Sequence, residues 1–230
     1  MRIINAIKSD ALFQLKQGFI LVYIIITAMY LIVLSLLPES TLGIALPIVV
    51  FTDPSVLGLF FIGGIIMLEK EQGVIDLLVV SPLRTSEYIL SKLFSLTFVS
   101  IIAAFALTLL SSFRGANLPL LFISVLLTSG IFTLAGIIIN AGCVTVNQYL
   151  IKTIPYMLLL VLPCFSLIGF EYSYIFTAIP SVAALRLMLG AYSAISLVEA
   201  VALIIYLGIA NYLLFRYAIK VFDMKIARKN

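Results

Sequence analysis

The chain has 230 residues, of which 63% are hydrophobic and 10% charged, with a net charge of +4 and a mean hydropathy of +1.26. A soluble domain carries about 25% charged residues, and one core of this size cannot hide so much apolar surface, so lipid has to be the solvent for much of it. The basic residues flank apolar runs instead of forming one stripe, which argues against nucleic acid as a partner and for membrane orientation.

Residues 1–17 place Ile3, Ile4, Ile7, Ala11, Leu12 and Leu15 on one helical face, with Arg2, Asn5, Lys8, Gln14 and Lys16 on the rest. This pattern predicts an interfacial amphipathic helix, serving as a flanking anchor or as a docking element for a cytoplasmic partner. A membrane helix needs about 20 mostly apolar residues. Residues 19–37, 93–112, 118–145, 154–170 and 195–217 meet this, and residues 44–68 are long enough but interrupted by Asp53-Pro54. The first of these runs is too long for a signal-peptide core and no cleavage site follows it, so it reads as a retained helix. The runs do not alternate, so helices are expected rather than barrel strands. The fold class is therefore an all-α membrane protein of six transmembrane helices, one domain over residues 1–230.

Orientation follows from the charges. With the N-terminus inside, Arg2, Lys8, Lys16, Lys70, Arg84, Lys92, Lys152, Arg216, Lys220, Lys225, Arg228 and Lys229 are cytoplasmic, and only Arg114 and Arg186 lie outside. This bias predicts both termini in the cytoplasm.

Two connecting segments have more character than a connector needs. Residues 69–92 form the one sizeable cytoplasmic loop, mixing Glu69, Lys70, Glu71, Asp76, Arg84 and Glu87 with an apolar stretch at 74–80. Ile75, Leu78 and Val79 can share a face of a short helix, Ser81-Pro82 ends it, and Thr85 or Ser86 can cap the next. Such a loop is built to contact something, since antiparallel helices are joined by a few residues. Residues 171–193 stay largely apolar despite Tyr172, Tyr174, Pro180 and Arg186, which predicts a helical hairpin resting in or re-entering the outer leaflet.

Polar residues inside the runs are few. Asp53 is expected as an N-cap with Pro54 at the first helical position, or as a residue that meets substrate. Ser129, Thr133, Gly136, Asn140 and Cys143 share one face of the fourth run, which suits close helix packing or a polar pathway. Glu199 and Asn211 in the last run, with Thr97, Ser100 and Thr108 in the third, are further pathway candidates. Pro155 and Pro163 are expected to bend or interrupt the fifth run. The cysteines, Cys143 and Cys164, lie in apolar runs, where a disulfide or metal site is not expected.

Histidine is absent and no G-x-x-x-x-G-K-[ST] occurs. No His-ligated metal, Ser/His dyad or P-loop ATPase is available in this chain, so an enzyme is not expected. Neither a channel filter, an arginine comb nor an internal duplication of the transporter kind is present.

Residues 53–92, DPSVLGLFFIGGIIMLEKEQGVIDLLVVSPLRTSEYILSK, resemble the membrane subunits of type-2 ATP-binding-cassette exporters, and among them the small fluoroquinolone or multidrug export permeases. The matching positions are Glu69 at the end of a helix, the Glu71-x-Gly73 segment, an apolar helix over 75–80, the Ser81-Pro82-Leu83 turn, and Glu87 with Lys92. The resemblance implies a coupling helix between the second and third spans, with Glu69, Glu71, Gly73, Ile75, Leu77, Leu78, Pro82, Leu83, Arg84 and Glu87 as ATPase-coupling residues. It implies separate ATPase subunits that hold ATP and Mg, a second permease subunit, identical or not, and a place in the inner or plasma membrane. Read from the residues alone, the pathway candidates are Asp53, Ser129, Thr133, Asn140, Glu199 and Asn211; no cofactor or metal is expected in this chain. A haem-exporter type of permease and a non-transporting membrane scaffold are the rival readings.

Overall fold

A computed structural model describes residues 2–53, 58–75, 83–111, 113, 115–167 and 174–227, which contain helices and no strand. In chain order these are α1 (Arg2–Lys16), α2 (Phe19–Ser35), α3 (Glu39–Thr52), α4 (Gly58–Glu71), α5 (Thr85–Leu110), α6 (Leu118–Ala141), α7 (Val146–Val161), α8 (Pro180–Tyr192) and α9 (Leu197–Ala227). Two 3₁₀ stretches, Leu162–Leu167 and Tyr174–Ala178, lie between α7 and α8.

Four stretches are long and apolar enough to cross a membrane unaided: Thr85–Leu110, Leu118–Ala141, Val146–Leu167 and Leu197–Met224. A fifth crossing arises if α1 and α2, bent by 68°, are taken as one unit. The bend falls at Gly18, whose φ of +80° is a left-handed conformation that a side chain would strain. Of the expected second span, the described residues hold α3 and α4, and residues 54–57 lie outside them.

Helix α6 is the hub. It packs against α3, α4, α5, α7, α8 and α9, and Val125, Phe132, Leu134 and Ile137 along it are buried. Its small residues let neighbouring backbones come close, as expected from sequence. A Cβ on Gly136 would fall 2.3 Å from Ile62 Cγ2 and 3.1 Å from the Leu59 carbonyl oxygen of α4. One on Gly130 would fall 2.2 Å from Asn211 Oδ1 of α9. On α4, Gly63 accommodates the ring of Tyr149 from α7.

Contacts sort into two ends. At one, Lys92 of α5 meets Asp10 of α1 and Glu69 of α4, Lys70 of α4 meets Asn140 at the end of α6, and Thr85 donates to Asp223 near the end of α9. At the other, Thr108 of α5 shares a hydrogen bond with Tyr192 of α8, Asn117 N–H donates to the Ala191 carbonyl, and Arg186 of α8 pairs with Glu199 of α9. Helices α3 and α4 run between these ends. Gly43 of α3 lies against Phe113, Phe51 meets Phe132 partway along α6, Gly58 lies beside Thr133, and Lys70 reaches Asn140.

In α1, Asp10 and Gln14 turn inward, while Ile4, Leu12 and Leu15 are exposed. With hydrocarbon outside, apolar side chains have no need to hide, and the polar ones seek partners on α5. The same arrangement marks α2, where Tyr23 and Thr27 are buried and Ile24, Ile25, Met29 and Ile32 are exposed. Several sequence expectations are corrected. Asp53 has helical torsions (φ −61°, ψ −61°) and closes α3 as its C-cap, whereas an N-cap residue is extended; Pro54 lies outside the described residues. Arg84, not Thr85 or Ser86, precedes the first turn of α5, and Glu87 accepts from the Arg84 N–H at 2.9 Å. Thr85 instead spends its hydroxyl on Asp223, 2.6 Å away. Pro155 sits inside α7 without ending it, while the helix tightens to 3₁₀ at Leu162, just before Pro163. Of the segment 171–193, residues 171–173 lie outside the described residues. Helix α8 is wedged into the bundle, with Val182, Ala183, Ala184, Leu187 and Met188 fully buried.

A leucine at Gly136 is expected to cost about 1–3 kcal/mol by overpacking the α4–α6 contact. Thermal unfolding of the detergent-solubilised protein checks this against Gly208→Leu, where a Cβ meets open space and little loss is expected.

Candidate functional site

Among the described residues, a buried cluster of charge is assembled from three helices. Lys92 lies two turns into α5, and its side chain is 1% exposed. Its ammonium donates to Asp10 Oδ1 of α1 at 2.5 Å and to Glu69 Oε1 of α4. Tyr88, one turn before Lys92, donates its hydroxyl to the other Glu69 oxygen at 2.6 Å. The Tyr88 ring also lies 5.0 Å from the ammonium, and Phe13 of α1 lies 5.9 Å from it. One turn beyond, Gln14 Nε2 donates to Ser95 Oγ at 2.8 Å, fastening α1 to α5 a second time. One ammonium faces two carboxylates, and the Tyr88 O–H supplies the extra donor. Such a site persists because each helix contributes groups that cannot reach water from where the backbone holds them.

The last turn of α4 is held on its other side as well. Glu69 and Lys70 are consecutive, so their side chains leave the helix about 100° apart. Lys70 Nζ donates to the Asn140 carbonyl (3.1 Å), Asn140 Oδ1 (2.9 Å) and the Cys143 carbonyl (3.0 Å). It thus satisfies carbonyls left open at the C-terminus of α6 and faces the negative end of that helix. Asn140 returns a bond from Nδ2 to the Gly63 carbonyl at 3.1 Å. Lys152 of α7 donates to the Gly142 carbonyl at 2.8 Å.

From this anchored turn the chain enters the loop. Gly73 has φ +71°, a left-handed turn that accounts for a glycine there. Ile75 is buried in an apolar cluster with Tyr88, Leu96 and Phe222. The loop re-enters at Leu83 and Arg84, where Thr85 ties the first turn of α5 to Asp223 of α9, and Tyr88 and Phe222 bring their rings to 5.3 Å. Both roots of the loop are therefore bonded into the bundle.

Of the coupling residues named from sequence, Glu71 and Arg84 are exposed, Leu83 and Glu87 are half-buried, and Glu69 and Ile75 are buried. Leu77, Leu78 and Pro82 lie outside the described residues. The pathway candidates separate into two groups. Ser129 accepts from Thr97 at 3.0 Å, Asn140 binds Lys70 and Gly63, and Asn211 donates to the Leu127 carbonyl at 3.0 Å beside Gly130. Glu199 pairs with Arg186 at 2.8 Å. These four join helices to each other. Asp53 and Thr133 have buried oxygens with no hydrogen-bond partner among the described residues.

Sequence reasoning missed Asp10, which makes an ion pair inside the bundle. The available signal was its spacing: Asp10 and Gln14 are one helical turn apart, a polar pair on one face.

Apolar helices that bury polar groups between them and leave leucines and isoleucines outside define a polytopic helical membrane protein, with four stretches among the described residues long and apolar enough to cross, or five with the bent pair. The chain belongs to the fluoroquinolones export permease protein family, whose family model matches residues 1–230. Two fluoroquinolones export permease proteins of Mycobacterium tuberculosis, from strain CDC 1551 / Oshkosh and strain H37Rv, are each 27% identical to it over 197 residues. Each match covers 85% of this chain and 83% of the relative.

Replacing Lys92 by Met strands two carboxylates in a buried site and is expected to cost about 3–5 kcal/mol. Adding Asp10→Asn and Glu69→Gln should recover much of that loss, because the stranded charges then disappear. Thermal unfolding of the single and triple variants in detergent measures both steps.

Proposed function

We propose that this chain is the transmembrane subunit of an ATP-binding-cassette exporter that carries amphipathic small molecules of the fluoroquinolone kind out of the cell. The observation that supports it most is the clasp of Asp10, Glu69, Lys92 and Lys70. It ties the N-terminal helix, the end of α4 and the start of α5 together at the base of the loop whose sequence resembles the coupling segment of such exporters. The chain carries no P-loop of its own, so the energy source is a separate ATPase that binds ATP and Mg. Two permease subunits pair in the inner or plasma membrane, and two ATPase subunits dock beneath them.

In this reading there are six spans with both ends in the cytoplasm. The second is α3 plus α4; their contacts with Phe113, Phe132, Thr133 and Asn140, taken in order, support a crossing from one end to the other. Helix α8 is the inner arm of an outer-leaflet hairpin. The helix over 74–80 is the coupling helix, with Glu71, Leu77, Leu78, Pro82, Leu83, Arg84 and Glu87 toward the ATPase and Glu69, Gly73 and Ile75 setting its root.

The physical requirement is that the ATPase bind two permease conformations with different affinity, since a partner indifferent to the two states moves nothing. Closure of the ATPase around ATP pulls on the loop. Glu69 and Lys70 then pass that displacement in two directions, through Lys92 to α5 and α1, and through Asn140 to α6. A rigid linkage serves this role where a flexible loop would absorb the motion.

Co-expression of the permease with its P-loop ATPase is expected to lower accumulation of a fluorescent fluoroquinolone in cells, and an ATPase lacking its P-loop lysine should abolish that difference. Leu77→Glu should release the ATPase from the affinity-purified permease while leaving permease yield unchanged; an intact, active complex would refute the coupling helix. A cysteine at Ser86 should react with an impermeant maleimide only after the membrane is opened.

A further inference from the structure

We propose that Asp53, with Thr133, is the point at which this permease recognises the cationic amine of its cargo. The inference rests on the substrate reading above and assigns a residue to it. Asp53 is fully buried, neither of its carboxylate oxygens meets the geometry of a hydrogen bond among the described residues, and the Tyr23 hydroxyl is the polar group beside it. Thr133, on the facing helix α6, is also fully buried with an unpartnered hydroxyl. These are three of the four side-chain atoms so orphaned among the described residues, the fourth being Asp10 Oδ2 inside the Lys92 cluster.

The rest of the buried polar set is paired. Tyr23 bonds Ser100 at 2.9 Å, Thr97 bonds Ser129, and Thr108 bonds Tyr192, while the half-buried Glu199 pairs with Arg186. None of the ion pairs among the described residues includes Asp53. A carboxylate within a membrane helix costs on the order of 3 kcal/mol on insertion scales, and a buried polar group without a partner calls for an explanation. A site whose open valences are acceptors, with a single hydroxyl among them, matches a ligand that brings N–H donors and positive charge.

The surroundings fit the rest of such a ligand. Phe51, two residues before Asp53, meets Phe132 edge to face with centroids 5.9 Å apart, and Phe132 precedes Thr133. Tyr23, close enough to Asp53 to feel its charge, meets Phe61 at 5.4 Å. Aromatic faces next to a carboxylate suit a flat ring system carrying an ammonium. Helix α3 ends at Asp53, and Gly58 at the start of α4 lies beside Thr133.

The chain contains no tryptophan, so quinolone fluorescence anisotropy reads binding to the purified permease in lipid nanodiscs without interference. A piperazinyl fluoroquinolone should bind Asp53→Asn at least about tenfold more weakly than the native protein. A quinolone lacking the basic amine should bind both alike, and Asp53→Glu should retain most of the affinity for the piperazinyl compound. Size-exclusion profiles of the variants separate loss of ligand from loss of fold, and Thr133→Val supplies a second, uncharged change expected to act in the same direction. Equal affinities of native and Asp53→Asn protein for the piperazinyl compound, or an equal loss for both compounds, would overturn the amine assignment. Binding of neither quinolone by the native protein would overturn the substrate reading itself, and this inference with it.

Discussion

When hydrocarbon surrounds a helix, burying a leucine between helices gains little, because the tail of a lipid is as apolar as its neighbour. Association then depends on close backbone approach and on polar groups that have no other partner. Helix α6 meets both conditions. Gly130 and Gly136 let α9 and α4 come within side-chain contact of its backbone, and Asn140 links it to Gly63 and Lys70. Placing α6 in this way positions six other helices, and with them the two ends of the molecule.

The charged clasp follows from the same constraint. Lys92 is too far into α5 to reach water once α1 and α4 close over it, so it is tolerable only with Asp10 and Glu69 present. The N-terminal helix is thereby bound to the bundle through polar atoms and offers its apolar residues to the surroundings. A helix so bound follows α5 when α5 moves. Lys70, bonded to the far end of α6, makes the last turn of α4 a junction between two groups of helices. In the proposed exporter, the loop that hangs from this junction is the part an ATPase would grip.

Asp53 at the end of α3 and Thr133 on α6 carry buried oxygens without a geometric hydrogen-bond partner among the described residues, and Thr133 lies beside Gly58 at the start of α4. In the proposed exporter, such a site is closed to water in one state and open in another.

Much of this was legible in the amino-acid order. The apolar runs gave a helical membrane protein, because hydrocarbon thickness and backbone satisfaction act on the chain locally, and the lysines and arginines gave the orientation that the proposed function carries. The small-residue face of α6 was readable from its three- and four-residue spacing, and the irregularity at Asp53 from the Asp-Pro pair. What only the tertiary structure decided is which face of each helix turns inward. Hydrophobic periodicity put Ile4, Leu12 and Leu15 on the apolar face of an interfacial α1, and the fold leaves them exposed; it did not show that Asp10 and Gln14 turn into the bundle. Periodicity ranks residues by their preference for water, and in a bilayer that preference no longer separates inside from outside. Partner choice does, and the partners of Asp10, Glu69 and Lys92 stand 23 and 82 residues apart in the chain.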